Sequence, residues 1–419
     1  MGTAINSRER EGPILSVAPM LAVTNTHFRS FMRCFTKEAQ LWTEMVTDGA
    51  ILHNLDGLQQ NLGLRDVEHP IVCQLGGSDP RALAEAGRHV EQLGFDEINL
   101  NVGCPSNRVV SQGCFGAALM KTPELVRDIV HEIGRQVQIP VTVKTRIGYD
   151  SCDSRDFLRN FVETVAAGGC RHFVVHARKA WLKGVDPKKN RSVPPLLYGR
   201  VYDLCDRFPE LDFSLNGGVT SIEQALDLTA GRWSDGTAEM DAILRRITKD
   251  GAVKPLKGVM IGRAASNDPC ILASVDTDFY GTNVNPPTTG CRRAILDAYR
   301  EYLIQCTDDG GHSLFSLLKP VLGVLNGMPG HRLFRFTLDH LMRDKTREWT
   351  AEEVLSHSMT VIEEAFPGVL EYPLRRPKQC RYEEIATKKA EVTETADLDH
   401  ATNSSSPQGG TTVATSVIV

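Results

Sequence analysis

An α/β fold, a TIM (β/α)8 barrel followed by a smaller all-helical domain, is predicted from three observations. Short β-rich apolar runs alternate with helix-like stretches of mixed charge; most of these runs close on a polar or glycine-bearing segment; and the strand signal vanishes beyond residue 286. Such alternation builds a parallel sheet, and eight repeats of it close a barrel. The strand-like runs lie at 14–19, 41–45, 71–75, 97–101, 141–144, 172–176, 213–216 and 258–261, with helical patterns between most of them, as at 79–93 and 122–137. Several runs are nearly all apolar, as expected of a parallel sheet covered on its outer side by helices.

These signals divide the chain into an N-terminal extension at 1–12, a barrel at 13–285, a helical domain at 286–373 and a tail at 374–419. The stretch at about 230–257 is polar and charged and reads as a surface insertion between the seventh helix and the eighth strand. Amphipathic patterns such as CRRAILDAYREYLIQC and HSLFSLLKPVLGVL carry the helical domain. The tail lacks aromatic residues beyond Tyr382 and is rich in Thr, Ser, Ala and Glu, a composition that buries too little apolar surface to offset ordering entropy.

With 41% hydrophobic and 24% charged residues the composition is that of an ordinary globular protein, and no apolar run approaches the roughly 18 residues of a membrane span. No membrane partner is expected. The N-terminus shows no apolar leader segment, so a cytoplasmic or organellar location is expected. The 11 cysteines show no CxxC spacing, which argues for reduced thiols and against a zinc or iron–sulfur site, so no metal is expected. A net charge of −5 excludes a uniformly basic nucleic-acid binder and leaves only local basic patches for such contact.

The active site of a TIM barrel lies where its strands end. Here those ends carry Ala18-Pro19-Met20, Gln74, Asn101 with Cys104, Lys144 with Arg146, His176 with Arg178, Asn216-Gly217-Gly218, and Gly262-Arg263. In NVGCPS, Gly103 permits close backbone approach and Pro105 stiffens the exit, so Cys104 is displayed as a proton donor or nucleophile. Cys114, ten residues on, is the rival thiol. The glycine-bearing ends of the last two strands suit a phosphate, with Arg263 adding charge. Lys144 suits negative charge on an electron-rich ring and Gln74 a ring edge; together these are the needs of flavin mononucleotide, FMN. Each residue also has a plainer reading: a tight turn for Gly217 and Gly218, a helix cap for Gln74, a carboxylate partner for Lys144.

The motifs APML (18–21), LNVGCPS (100–106), VKTRIG (143–148), HARKAWLKG (176–184), KKNR (188–191), NGG (216–218), IGR (261–263) and PGHRLFR (329–335) resemble the tRNA-dihydrouridine synthase family, most closely its A-type, 20/20a branch. The resemblance covers roughly residues 13–368. It implies a flavoenzyme in which NADPH reduces FMN and hydride then passes to C6 of a uracil in the tRNA D-loop, at positions 20 and 20a, while Cys104 protonates C5. An ordinary thiol, with a pKa of about 8.5, is mostly protonated at neutral pH and can donate. By matching positions, Pro19, Met20, Leu21, Gln74, Lys144, His176, Asn216, Gly217, Gly218, Gly262 and Arg263 would line FMN. Asn101 and Arg178 would hold the base or the cofactor ring. The branch carries an acidic and an aromatic residue after APML, where this chain has Ala22 and Val23.

Between 171 and 200 eight basic residues face one acid, Asp186, with Trp181 and Tyr198 interleaved. That is a local positive surface with stacking groups. Arg332 and Arg335, three residues apart, share one helical face. The resemblance makes Lys188, Arg191, Arg332 and Arg335 tRNA contacts, and the target base would leave its stack to reach the barrel. No obligate protein partner is evident. Two other readings remain: an FMN barrel reductase of a small pyrimidine or enone, and a non-catalytic tRNA-binding protein.

Overall fold

Strand β4, Glu97–Val102, shows how the barrel is built: Ile98, Leu100 and Val102 join the large apolar core, while Glu97, Asn99 and Asn101 bond to residues of neighbouring strands. In a strand, successive side chains point to opposite faces, so one run of sequence serves the helix-covered outside and the barrel interior. The computed structural model describes residues 12–54, 62–105, 115–182, 185–186, 188–234, 238–248, 254–309 and 312–374. Residues 1–11 of the N-terminal extension, Cys114, residues 235–237 and 249–253 of the 230–257 segment and the tail beyond 374 lie outside the described residues.

The other strands are β1 Ile14–Val17, β2 Leu41–Thr47, β3 Ile71–Gly76, β5 Val141–Arg146, β6 His172–His176, β7 Asp212–Asn216 and β8 Gly258–Ile261. All pairings are parallel, and the order is β1-β8-β7-β6-β5-β4-β3-β2. Gln40 closes the ring ahead of β2: its N–H donates to the Leu15 carbonyl at 2.9 Å, and the Val17 N–H donates to its carbonyl at 2.9 Å. Ala18, Trp42, Val72, Val174 and Met260 form a small apolar cluster of their own, apart from the main core. They alternate along their strands with outward residues such as Val17, Leu41, Cys73, Val175 and Ile261 of that core.

The covering helices are α1 Thr26–Arg33, α2 Asp48–Leu52, α3 Pro80–Gln92, α4 Pro123–Gln136, α5 Arg155–Ala166, α6 Gly199–Arg207, α7 Ile222–Thr229 and α8 Ala238–Thr248. Asn25, Asp79, Ser154 and Ser221 each accept a hydrogen bond from a backbone N–H of the first turn they precede, which satisfies donors that a helix start leaves free. The segment read as a surface insertion contains α8. Met240, Ile243 and Leu244, spaced three and one apart, are buried, and Arg246 pairs with Asp206 of α6 at 2.5 Å. The charged residues made this segment look like loop, yet they occupy the other side of an amphipathic helix.

After the short α9, Arg263–Asn267, come α10 Arg292–Asp309, α11 Leu314–Leu318, α12 His331–Arg343 and α13 Ala351–Ala365. The pattern around HSLFSLLKPVLGVL is one amphipathic stretch in the sequence but two elements in space, because α11 passes into a 3-10 turn at Lys319–Gly323, where Pro320 lacks an N–H to continue an α-helix. These helices dock against α1. His27 Nδ1 lies 2.6 Å from the Tyr302 hydroxyl, Tyr299 donates to the His27 carbonyl at 3.4 Å, and Asn25 Nδ2 donates to Ser316 at 3.1 Å. Lys319 Nζ donates to the Ala22 carbonyl, so the helical region reaches the rim of the barrel beside β1. Among the described residues no helix is long and apolar enough to cross a membrane.

Gly258 sits where β8 is clasped between β1 and β7. A Cβ there would lie 2.4 Å from the Ile14 carbonyl oxygen and 2.8 Å from Ser214 Oγ. Gly258→Ala is expected to destabilise the protein by about 1–3 kcal/mol through overpacking, seen as a lower urea midpoint at an unchanged slope. A midpoint equal to that of the parent would show that the barrel seam gives way freely.

Candidate active site at the barrel mouth

Cys104 follows β4 and is held on both sides of its residue: Asn101 Oδ1 accepts its N–H at 2.9 Å and that of Gly103 at 3.0 Å, and its carbonyl accepts the Ala117 N–H at 2.9 Å. The side chain is partly exposed. Gly103 does not open toward a ligand in the way its sequence suggested: an added Cβ would face the backbone of Lys144 and Thr145 on β5 at 3.4–3.6 Å, ordinary contact.

Around this thiol the strand ends gather positive groups. Lys144 donates to Asn216 Oδ1 at 3.0 Å, and Asn216 Nδ2 donates to the Met260 carbonyl at 3.0 Å, which ties β5, β7 and β8 together at one level. Burial, with Arg146 beside it, pulls the Lys144 ammonium down to about 7. His176 is pushed well below its ordinary value by burial first, then by the charges of Arg146, Lys144, Arg178 and Arg263. Arg178 donates to the carbonyls of Ser192 and Pro194, and Arg263 to that of Arg191 at 3.1 Å. Neither has a carboxylate partner among the described residues. Lys144, Arg146, Arg178 and Arg263 therefore converge on the His176 imidazole, with no carboxylate paired to them among the described residues, and make the mouth a basin of positive potential.

The glycines have a local reason. Gly217 (φ 111°) and Gly218 (φ 74°) adopt backbone that disfavours side chains, and a Cβ would lie 2.7 Å from the His176 ring at Gly217 and 2.5 Å from Leu196 at Gly218. Gly262, by contrast, has only Ala18 near, at 3.7 Å. Gln74 is buried inside the barrel, donating to Asn99 and accepting from Asn101. Pro19 and Met20 are half-buried at the rim, whereas Leu21 is 76% exposed. Ala22 takes a positive φ of 59°, its N–H held by Glu44 and its carbonyl by Lys319.

Lys188 and Arg191 are exposed on the loop that follows β6, next to the basin. Arg332 and Arg335 are exposed on α12, and no contact joins them to the mouth.

Two residues carry more of this site than the sequence suggested. Arg146 is 3% exposed; it donates to the carbonyls of Gly103 at 2.9 Å, Lys179 at 3.0 Å and Asn190 at 3.1 Å, so one guanidinium clamps the Cys104 loop to both limbs of the β6 loop. Burial pulls it down to about 10. Asn190, fully buried, pairs with both backbone groups of Trp181 at 2.7 and 3.0 Å and staples that loop internally. Their partners are backbone carbonyls and amides, which leave no mark on a sequence.

The Dihydrouridine synthase family model matches residues 16–360. Curated relatives named tRNA-dihydrouridine(20/20a) synthase share 43% identity over 79% of this chain and 89% of the protein from Shewanella oneidensis, 42% over 83% and 96% of that from Vibrio vulnificus, and 41% over 83% and 91% of that from Escherichia coli K12. The chain belongs to the dihydrouridine synthase family. A solved 2-naphthoyl-CoA reductase complex overlays 68% of the chain and 53% of that protein at a TM-score of 0.41 and 10% identity, too loose a likeness to bear on the site. Among the described residues of this dihydrouridine synthase no group of three or more His, Cys, Asp or Glu is arranged to hold a metal ion.

The basin yields a pH signature. The Lys144 ammonium is charged below about 7 and neutral above it, so anion affinity is full below that value and declines as pH rises through it. Calorimetric titration with sulfate, whose charge does not change in this range, is expected to show affinity falling about threefold to tenfold between about pH 6 and 8.5, and a flatter profile in Lys144→Met. A parent profile as flat as the variant's would remove Lys144 from the anion site.

Proposed function

We propose that this protein reduces the C5–C6 double bond of uridine in the D-loop of tRNA, at positions 20 and 20a, with FMN as its cofactor and NADPH as reductant. Membership of the dihydrouridine synthase family carries the reading of the reaction, and the names of the curated relatives supply the positions. The cofactor rests on the basin: Lys144, His176, Arg178 and Arg263 around paired positive-φ glycines, without a carboxylate, suit a flavin phosphate and an electron-rich ring. Gln74, Lys144, His176, Asn216, Gly217, Gly218, Gly262 and Arg263 would hold FMN, with Pro19, Met20 and Leu21 along the β1 rim. When bound and reduced, it supplies the hydride that arrives at C6.

The chain's own residues do the rest. A uracil double bond is a poor electrophile, so protonation at one carbon must accompany hydride arrival at the other. Cys104, partly exposed and with its backbone held by Asn101 and Ala117, donates that proton to C5. Lys144 balances negative charge on the ring, and Arg178 holds uracil oxygens or the cofactor ring. Lys188 and Arg191 at the mouth and Arg332 and Arg335 on α12 contact the tRNA backbone, so the helical region of 286–373 grips the RNA while the target base enters the barrel.

Mass spectrometry of unmodified tRNA incubated with flavin-loaded protein and NADPH tests the reading. A gain of two hydrogens on a D-loop uridine is expected, reduced about 100-fold or more in Cys104→Ala with flavin still bound. Flavin reduction without any change in tRNA would move the activity to a small pyrimidine or enone. Charge reversal at Arg332 and Arg335 is expected to weaken tRNA binding about tenfold or more and to flatten its salt dependence while leaving flavin reduction by NADPH intact; unchanged affinity would take α12 out of the RNA face.

A further inference from the structure

A run of side-chain hydrogen bonds crosses the barrel interior from floor to mouth. Asn101, whose Oδ1 takes the Gly103 and Cys104 N–H groups, donates through Nδ2 to Gln74 Oε1 at 2.8 Å. Gln74 donates to Asn99 Oδ1 at 2.9 Å, Asn99 to Thr142 Oγ1 at 2.9 Å, and Thr142 to Glu97 Oε1 at 2.6 Å. The other Glu97 oxygen accepts from Gln40 Nε2 at 3.2 Å, and Gln40 Oε1 accepts from Ser16 at 3.0 Å and from the Trp42 indole at 3.2 Å.

The direction of this ladder follows from its ends. An amide can turn end over end, but backbone N–H groups and an indole N–H can only donate. Gly103 and Cys104 therefore require the oxygen of Asn101, and Trp42 requires the oxygen of Gln40, whose amino group must then meet an acceptor. Glu97 is that acceptor. It takes donors from both sides, so the upper amides all donate downward and Gln74 is left with one defined orientation. Asn99 and Glu97 are buried, at 0% and 2% exposure, and a wrong turn of any one amide would set donor against donor without water to relieve it.

We propose that Glu97 is a positioning residue for Cys104: from the barrel floor its carboxylate accepts the last donor of the run through Asn101, Gln74, Asn99 and Thr142, anchors that run, and thereby holds the backbone on which the thiol is mounted. This rests on Cys104 being the proton donor of the proposed reaction. Burial pushes the Glu97 carboxyl up to about 7, and the hydrogen bonds from Thr142 and Gln40 act against that shift, so the ladder and the carboxylate sustain each other.

Thr142→Val cuts the ladder with little change of volume, and two readings follow in the flavin-loaded protein. Peptide mass spectrometry of iodoacetamide-treated protein is expected to show Cys104 alkylated about threefold faster or more, because its loop is released. Oxidation of the prereduced enzyme by tRNA is expected to slow about tenfold or more, with reduction by NADPH within about twofold of the parent. Thr142→Ser restores both. Glu97→Leu, which removes the acceptor of Thr142 and of Gln40 together, reproduces the Val variant and carries the test if Thr142→Val does not fold. Parent-like alkylation and oxidation in both Thr142→Val and Glu97→Leu would overturn the proposal. If the parent protein forms no dihydrouridine, the proposed function has failed, and the alkylation rates alone then decide the ladder.

Discussion

A polar side chain buried in the packed interior of a barrel needs a hydrogen-bond partner, and here the partners come from within the ring. This constraint sets the rest of the molecule. Glu97, Asn99 and Asn101 of β4 meet Gln74 and Thr142 from the strands on either side and Gln40 from the residue ahead of β2, and each link needs the register that brings those residues level. A slip of β4 by one residue would turn three polar side chains into the apolar helix interface and Ile98, Leu100 and Val102 inward. An unpaired buried amide costs about 1–3 kcal/mol, so such a slip would lose several of these at once. Register, amide orientation and the seat of the Cys104 loop are thus one problem with one solution.

At the mouth the opposite situation holds, with like charges gathered instead of complementary partners. Arg146 lies under the loops, engaged with carbonyl groups, and Lys144 leans on a neutral amide. Hydrogen bonds to oxygen dipoles offset part of the desolvation of these cations but supply no opposite charge, which is why Lys144, Arg146 and His176 all shift toward their less protonated forms. The protein pairs arginines with carboxylates elsewhere, such as Asp203, which binds Arg155 and Arg159, and Glu68, which binds Arg29. Their absence from the basin is a property of the site, since pairing these cations internally would leave none for a ligand.

Much of this was legible in the sequence, and for identifiable reasons. The strand positions stood out because β-branched and aliphatic runs such as VCQL and FVVH sit between charged helical stretches, and the mouth residues stood out because they are polar where the runs stop. The alternation in EINLNV and VTVKTR was equally visible, yet a view of these strands as simply apolar passed over it and with it Glu97 and Thr142. Arg146 was seen as a strand end, but its work is done on backbone carbonyls from distant loops, which no residue pattern announces. Helix α8 was hidden by its own charges, and the break after α11 by an apolar pattern that continues through Pro320 without change of character. Arg332 and Arg335 were assigned to one face of a helix, and α12 has both exposed.

The self-repelling mouth has a bearing on how much of the protein a cell can keep folded. The flavin phosphate proposed to sit among Lys144, Arg178 and Arg263 would bind the native chain and not the unfolded one, and would so draw the folding equilibrium toward the native state by mass action. At a ligand concentration one hundred times its dissociation constant that gain is about 2.7 kcal/mol, a large share of the stability of an ordinary domain. Supply of the ligand then governs abundance as well as activity: scarcity would leave a population that opens more often and is cleared by proteases sooner, and plenty would spare it. A charge arrangement that serves binding thus also couples the lifetime of the polypeptide to the metabolism that provides its anion.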